Sequence, residues 1–115
     1  MEWYERFLNK EKWVKKSTEI EGNLYDRLKE ISENELDASV NKIVDACIND
    51  LELGEKIVIY KKENNEINVA RSVIIRESMY KKLEEMREKY GISISKLINI
   101  AIRIGLEKYD KRKAK

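Results

Sequence analysis

Cys47 is the one side chain with the makings of a nucleophile, and its surroundings argue against that use. It lies in the apolar run Ile43-Val44-Asp45-Ala46-Cys47-Ile48, where it falls on the stripe of a helix that would face a core and behaves as a small hydrophobe. With a single cysteine and no histidine, the chain can build neither an internal disulfide nor a zinc site with Cys or His ligands. The carboxylates are scattered over helix faces, no pair is marked out as acid and base, and no glycine-rich phosphate loop is present. No enzymatic activity, cofactor or metal is expected.

What remains is recognition by charge. Lys and Arg number 24 against 22 Asp and Glu, a net of +2, but the distribution is lopsided. Residues 1–17 carry a net of +2, residues 18–55 a net of −8 and residues 56–115 a net of +8. A basic half can supply contacts to an anionic polymer, while an acidic middle is repelled by it. An acidic segment also pairs better with a basic one than either pairs with its own copy, which favours association within one chain.

The elements that must position these charges are short. At 115 residues, 42% apolar and 40% charged, with Lys and Glu interleaved, the chain suits one modest core under solvated helix faces. No stretch reaches the roughly 20 apolar residues of a membrane span and the N-terminus lacks the apolar run of a signal peptide, so no membrane association and a cytoplasmic location are expected. Trp3, Tyr4, Phe7 and Leu8 predict an amphipathic N-terminal helix over 1–13. An extended stretch from Lys15 to Ile20 follows. Asn23 is then the expected cap of a helix bearing Leu24, Leu28 and Ile31, and Asp37 or Ser39 the cap of one bearing Val40, Ile43, Val44, Cys47, Ile48 and Leu51, closed by Gly54.

Beyond Glu55 the period changes. Ile57 to Tyr60 is a β-branched and aromatic run, 63–66 carries turn residues, and Ile67 to Ile75 is extended again, which predicts a hairpin. Ser78 is the expected cap of a helix with Met79, Leu83 and Met86 that Gly91 ends. The last helix begins near Ser93 or Ser95 and carries Leu97, Ile98, Ala101, Ile102 and Leu106. Ile100 and Ile104 widen its apolar face, so it should pack on more than one side.

The two halves repeat. Ser17, Ile20, Tyr25, Leu28 and Glu30 meet Ser72, Ile75, Tyr80, Leu83 and Glu85 at a constant offset of 55, and after a one-residue slip Ser39, Lys42 and Ile48 meet Ser93, Lys96 and Ile102. Each half reads strand, helix, turn, helix, in about 40 residues, too few to bury their own apolar faces, so each needs the other.

Val73-Ile74-Ile75, Leu83, Met86 and above all Gly91-Ile92-Ser93-Ile94-Ser95-Lys96-Leu97-Ile98 resemble the ribbon-helix-helix repressors of the Arc, MetJ and CopG type. Residues 14–52 follow the same plan more loosely, with Asp37 to Val44 where the Gly-x-Ser-x-Ser motif would stand. The resemblance implies a mainly α fold with a small antiparallel β-ribbon, arranged as a tandem ribbon-helix-helix pseudo-dimer. Its parts would be the helix at 1–13, a first unit at 14–53, a linker with an extra strand at 54–68, a second unit at 69–109 and a basic tail at 110–115.

It also implies double-stranded DNA as the partner, with the ribbon in the major groove and alternate side chains at base edges. Thr18, Ile20, Val73 and Ile75 should then point at the helices, leaving Lys15, Ser17 and Glu19 with Ala70, Ser72 and Ile74 to face the groove. The alternative for Ile74 is a place under the N-terminal helix or the strand at 56–61. The family's second helix meets phosphate at its N-terminus, here Ser93, Ser95 and Lys96 and, in the first half, Ser39, Asn41 and Lys42. Ser93 and Ser39 serve as helix caps in either case. Arg71 and Arg76 flank the second strand and can add phosphate contacts or stand solvated. The tail can follow the backbone or keep the chain soluble, and Trp3, Phe7 and Trp13 suit packing better than base stacking.

The function expected is a sequence-specific transcriptional repressor or a regulator of a plasmid or mobile element. The alternative is a protein-interaction module, antitoxin-like or degenerate, that engages a partner through the acidic first half or the N-terminal helix and binds DNA weakly or not at all. A dimer of such pseudo-dimers is the expected assembly.

Overall fold

Two nine-residue segments, Trp13–Glu21 (β1) and Asn68–Arg76 (β2), place β-branched side chains at alternate positions and pair antiparallel. They form the one sheet in a computed structural model that describes residues 11–52 and 67–113. The helices are Gly22–Asn34 (α1), Val40–Asp50 (α2), Glu77–Tyr90 (α3) and Ile94–Lys113 (α4). The described chain is therefore mainly helical, with a two-stranded ribbon.

The ladder is centred on Ser17 opposite Ser72, and runs from Trp13 opposite Arg76 to Glu21 opposite Asn68. Thr18, Ile20, Val73 and Ile75 are buried on the helix side, as the alternation predicts. Beneath them Leu24, Leu28 and Ile31 of α1, Val44 and Ile48 of α2, Met79 and Leu83 of α3, and Leu97, Ile98, Ala101 and Ile102 of α4 close one core. Truncating one of these leucines to alanine typically costs about 3 kcal/mol through lost burial and the cavity left behind. Much of the wide face of α4 is used inside the chain: α4 packs on α2, α3 and β1, and Ile100 is buried with the rest, while Ile104 is half-buried.

Local signals set some helix ends and distant residues set others. Ser39 Oγ accepts the Lys42 N–H and Ser93 Oγ the Lys96 N–H, each at 3.2 Å, so Ser39 rather than Asp37 caps α2 and Ser93 caps α4. Gly91 ends α3 at φ 68°, in the left-handed region that only glycine enters without strain.

Neither Asn23 nor Ser78 caps its helix. α1 begins at Gly22, one residue before Asn23, and Asn23 Oδ1 instead accepts the Leu24 N–H at 2.8 Å. α3 begins at Glu77, and Ser78 donates its N–H to Glu11 Oε1 at 2.6 Å; the Ser78 hydroxyl and then this N–H lower the Glu11 carboxyl from its ordinary value. The first N–H of each helix is met by the chain approaching the opposite strand: Glu77 N–H by Lys12 O and Gly22 N–H by Ile67 O, both at 2.9 Å. Positions 12 and 67 stand at the repeat offset, as do 22 and 77.

Several boundaries move. Of the helix expected over 1–13, residues 1–10 lie outside the described residues, and Trp13 opens β1, where its backbone pairs with Arg76. Residues 53–66, with the expected strand at 56–61 and Gly54, also lie outside. α2 has already stopped at Asp50, where the Leu51 N–H turns back to Ile48 O at 3.1 Å. β2 starts at Asn68, inside the expected linker, and its mate is β1. The tail expected from 110 is helical as far as Lys113, because Asp110 binds Arg27 at 2.8 Å and Lys113 binds Glu35.

Candidate nucleic-acid interface

With one ribbon face sealed against the core, the other is left to solvent. Lys15, Ser17 and Glu19 from β1 and Ala70, Ser72 and Ile74 from β2 are all exposed there. Trp13, 38% exposed, stands at the end of the ribbon opposite Arg76, two positions beyond the rung that holds Ile74, which is 39% exposed. Lys15 faces Ile74 across the ladder, Ser17 faces Ser72, and Glu19 faces Ala70.

Both long edges of the ribbon are closed by side chains from the opposite half's second helix. Along β2, Asn41 Oδ1 accepts the Ile74 N–H at 3.1 Å and Asp45 Oδ1 the Arg76 N–H at 2.9 Å. Along β1, the Glu19 N–H reaches Ser95 Oγ at 3.4 Å and Asn99 Oδ1 accepts the Glu21 N–H at 2.9 Å. An unpaired strand edge is a template for unwanted pairing, and these side chains blunt it. They also fix the N-termini of α2 and α4 against the two edges of the ribbon. Their first turns, which carry backbone N–H groups without helical partners, therefore flank its outer face.

The geometry divides the expected phosphate contacts. Lys42 and Lys96 are exposed and have no ion-pair partner among the described residues. Ser39 and Ser93 are exposed caps. Ser95 and Asn41 spend their oxygens on the strand edges instead, Ser95 Oγ also lying 2.9 Å from Thr18 Oγ1. Arg76 is committed inward: its Nε lies 2.8 Å from Asp45 Oδ2, and Asp45 is only 5% exposed. Arg71 is exposed and lies 4.7 Å from the centre of the Tyr25 ring.

Two features were missed by reading residues singly. Lys16 lies over the Tyr80 ring at 4.3 Å, the counterpart of Arg71 over Tyr25, so each strand extends a cation across the other half's first helix. Asp45 and Asn99 interrupt the apolar runs Val44 to Ile48 and Leu97 to Ile102 at equivalent places of the repeat. Polar residues recurring at one buried position were the available signal, because such a group needs a partner.

A second feature lies away from the ribbon. A cavity of about 300 Å³ opens between the α1–α2 connection and the far end of α4, lined mainly by Ile31, Leu36, Ile43, Cys47, Leu106 and Tyr109. Burial pushes the Cys47 thiol up to about 11, which leaves it protonated and unreactive at neutral pH. No helix among the described residues is long and apolar enough to cross a membrane. No protein-family model, curated protein or solved structure matches the chain.

Proposed function

We propose that the chain is a tandem ribbon-helix-helix pseudo-dimer that binds duplex DNA with its β-ribbon in the major groove, as a repressor or as a regulator of a mobile element. One observation carries the reading: an antiparallel ribbon centred on Ser17 and Ser72 exposes one face, and the N-termini of α2 and α4 are held against its two edges. A two-stranded ribbon fits the roughly 12 Å major groove. Helix N-termini beside it would meet phosphate, with Lys42 and Lys96 adding charge. The matched hydrogen bonds at repeat-equivalent positions support a pseudo-two-fold relation between the halves.

Lys15, Ser17 and Ser72 supply polar groups for base edges and Ile74 an apolar one, while Glu19 restricts what that end can accept. Arg71, Ser93 and Ser39 are the remaining backbone contacts in this reading.

Titration of the protein with duplex DNA at several salt concentrations tests it. Affinity should fall steeply, each phosphate neutralised contributing about 0.9 to the logarithmic slope. A flat salt dependence, or no binding to any duplex in a random pool, would overturn it.

Partner binding is the second reading, favoured by the cavity between the acidic first half and the end of α4, at whose edge Leu36 is 44% exposed. A stoichiometric protein complex that forms without DNA and is lost in Leu36→Asp would support it; unchanged complex formation would count against that surface.

A further inference from the structure

The register of the ribbon is symmetric about its centre, but the chemistry on its outer face is not. Two residues out from the Ser17 and Ser72 pair, the ladder reaches Lys15 opposite Ile74 in one direction and Glu19 opposite Ala70 in the other. Trp13 extends the first end, so that end offers an ammonium group beside apolar surface, while the second offers a carboxylate beside a methyl. A two-fold rotation about the centre would carry Lys15 onto Ala70 and Ile74 onto Glu19. On the outer face, no equivalent positions outside the centre carry equivalent chemistry.

The flanking supports are far more alike. The Lys15 and Ile74 end is bordered by the start of α2, with Ser39 and Lys42, and the Glu19 end by the start of α4, with Ser93 and Lys96. Each offers a capped helix N-terminus and one exposed lysine. Contacts of this kind position a protein on the duplex without reading its sequence. Whatever sets orientation must therefore come from the ribbon.

Resting on the DNA-binding reading above, we infer that the ribbon recognises a non-palindromic site in one fixed orientation. Lys15 and Ile74 select one half-site and Glu19 selects the other. An ammonium group donates to guanine O6 and N7, and an isoleucine gains from contact with the thymine methyl. A carboxylate accepts from the amino group of cytosine and is repelled by thymine O4. Because Ile74 and Glu19 occupy equivalent places, the base that satisfies one is refused by the other, and an inverted repeat would always present one of them with the wrong edge.

Selection of bound sites from random duplex DNA, followed by titration, tests this. The expected consensus has two unlike halves. Inverted repeats built from either half alone should bind about tenfold or more weakly than the selected site, since each wrong base pair weakens binding by roughly that much. The double variant Lys15→Ala, Glu19→Ile gives both strands the same outward series of alanine, serine and isoleucine. All changes are on the exposed face, so the urea unfolding midpoint should stay near that of the parent. This variant should bind the inverted repeat made from the Ile74 half at least as tightly as the original site. A palindromic consensus for the parent, or a double variant that keeps the parent's asymmetric preference, would overturn the inference while leaving DNA binding intact. Failure to recover any duplex would overturn the DNA-binding reading and this inference with it.

Discussion

Asp45 and Asn99 stand at equivalent places on α2 and α4 and accept equivalent strand N–H groups, those of Arg76 and Glu21, each at 2.9 Å. The groups around them are reversed. Where the acceptor is a carboxylate, the strand residue supplies the cation, and Arg76 Nε closes on Asp45. Where it is an amide, the strand residue is the carboxylate Glu21, and Arg103, one turn further along α4, supplies the cation. Asn99 then uses its Nδ2 on Glu19 O and Ser95 O, both at 2.8 Å. What each edge requires is an acceptor aimed at a strand N–H. The charge that accompanies it is open to choice, provided that it is balanced.

That choice separates the halves. Both corners set an acid from residues 18–55 against a base from residues 56–115, which is where the −8 and +8 of the sequence meet. Two first halves paired in this geometry would bring Asp45 against Glu21, and two second halves would bring Arg76 beside Arg103. The like-charge cost in these part-buried corners disfavours both arrangements.

Substitution at the two corners should have the largest effect. Asp45→Ala leaves the Arg76 N–H without its acceptor and the guanidinium with only Asn49 Oδ1 at 3.4 Å among the described residues, and should cost about 3 kcal/mol in urea unfolding. Asn99→Ala, which removes neutral hydrogen bonds, should cost about 2 kcal/mol. Equal losses would erase the distinction drawn between the corners.

The second helices also differ in length, since α4 runs on to Lys113 where α2 stops at Asp50. The extension crosses α2 at Gly105, where an added Cβ would lie 2.5 Å from Cys47 Sγ. Gly105→Ala should therefore destabilise by about 2 kcal/mol, and adding Cys47→Ala should restore most of that loss. Unchanged stability in the single variant would show that the crossing has slack.

On DNA, Lys96→Glu should weaken binding to every sequence by roughly tenfold and lower the salt slope by about 1. Lys42→Glu should do the same if both flanks touch phosphate. An effect confined to Lys96 would show that only the basic half is engaged.

The smallest effect concerns the clasp at the end of α4, which has no counterpart among the described residues of the first half. Lys113, Arg27 and Tyr109 surround Glu35 and pull its carboxyl from 4.5 down to about 2. A carboxylate whose folded pKa lies below its unfolded value stabilises above the unfolded value and stops doing so as the pH falls through the folded one. The urea midpoint should therefore decline modestly between about pH 4.5 and 2, with Glu35→Gln flattening that part of the profile. An identical profile in Glu35→Gln would remove the clasp from the account.

Much of the fold was legible because strand phase and helix stripe are local. Thr18, Ile20, Val73 and Ile75 follow from a period of two, and Leu24, Leu28 and Ile31 from a period near 3.6. The expectations that failed concern helix ends. Asn23 and Ser78 carry suitable side chains, but Lys12, Ile67 and Glu11 meet N–H groups there from far along the chain. At the candidate interface, Lys42 and Lys96 stand exposed, whereas Asn41, Ser95 and Arg76 have partners inside the protein that no spacing rule reveals.

The sequence by itself determined which residues face a core, where the chain turns at Gly91, and that two halves share one plan, since each follows from side-chain type and short-range period. Only the tertiary structure decided which strands pair, in what register, and which acceptors close the edges. A hydrogen bond such as that from Glu21 to Asn99 joins groups 78 residues apart, and its geometry exists only once the core has brought them together.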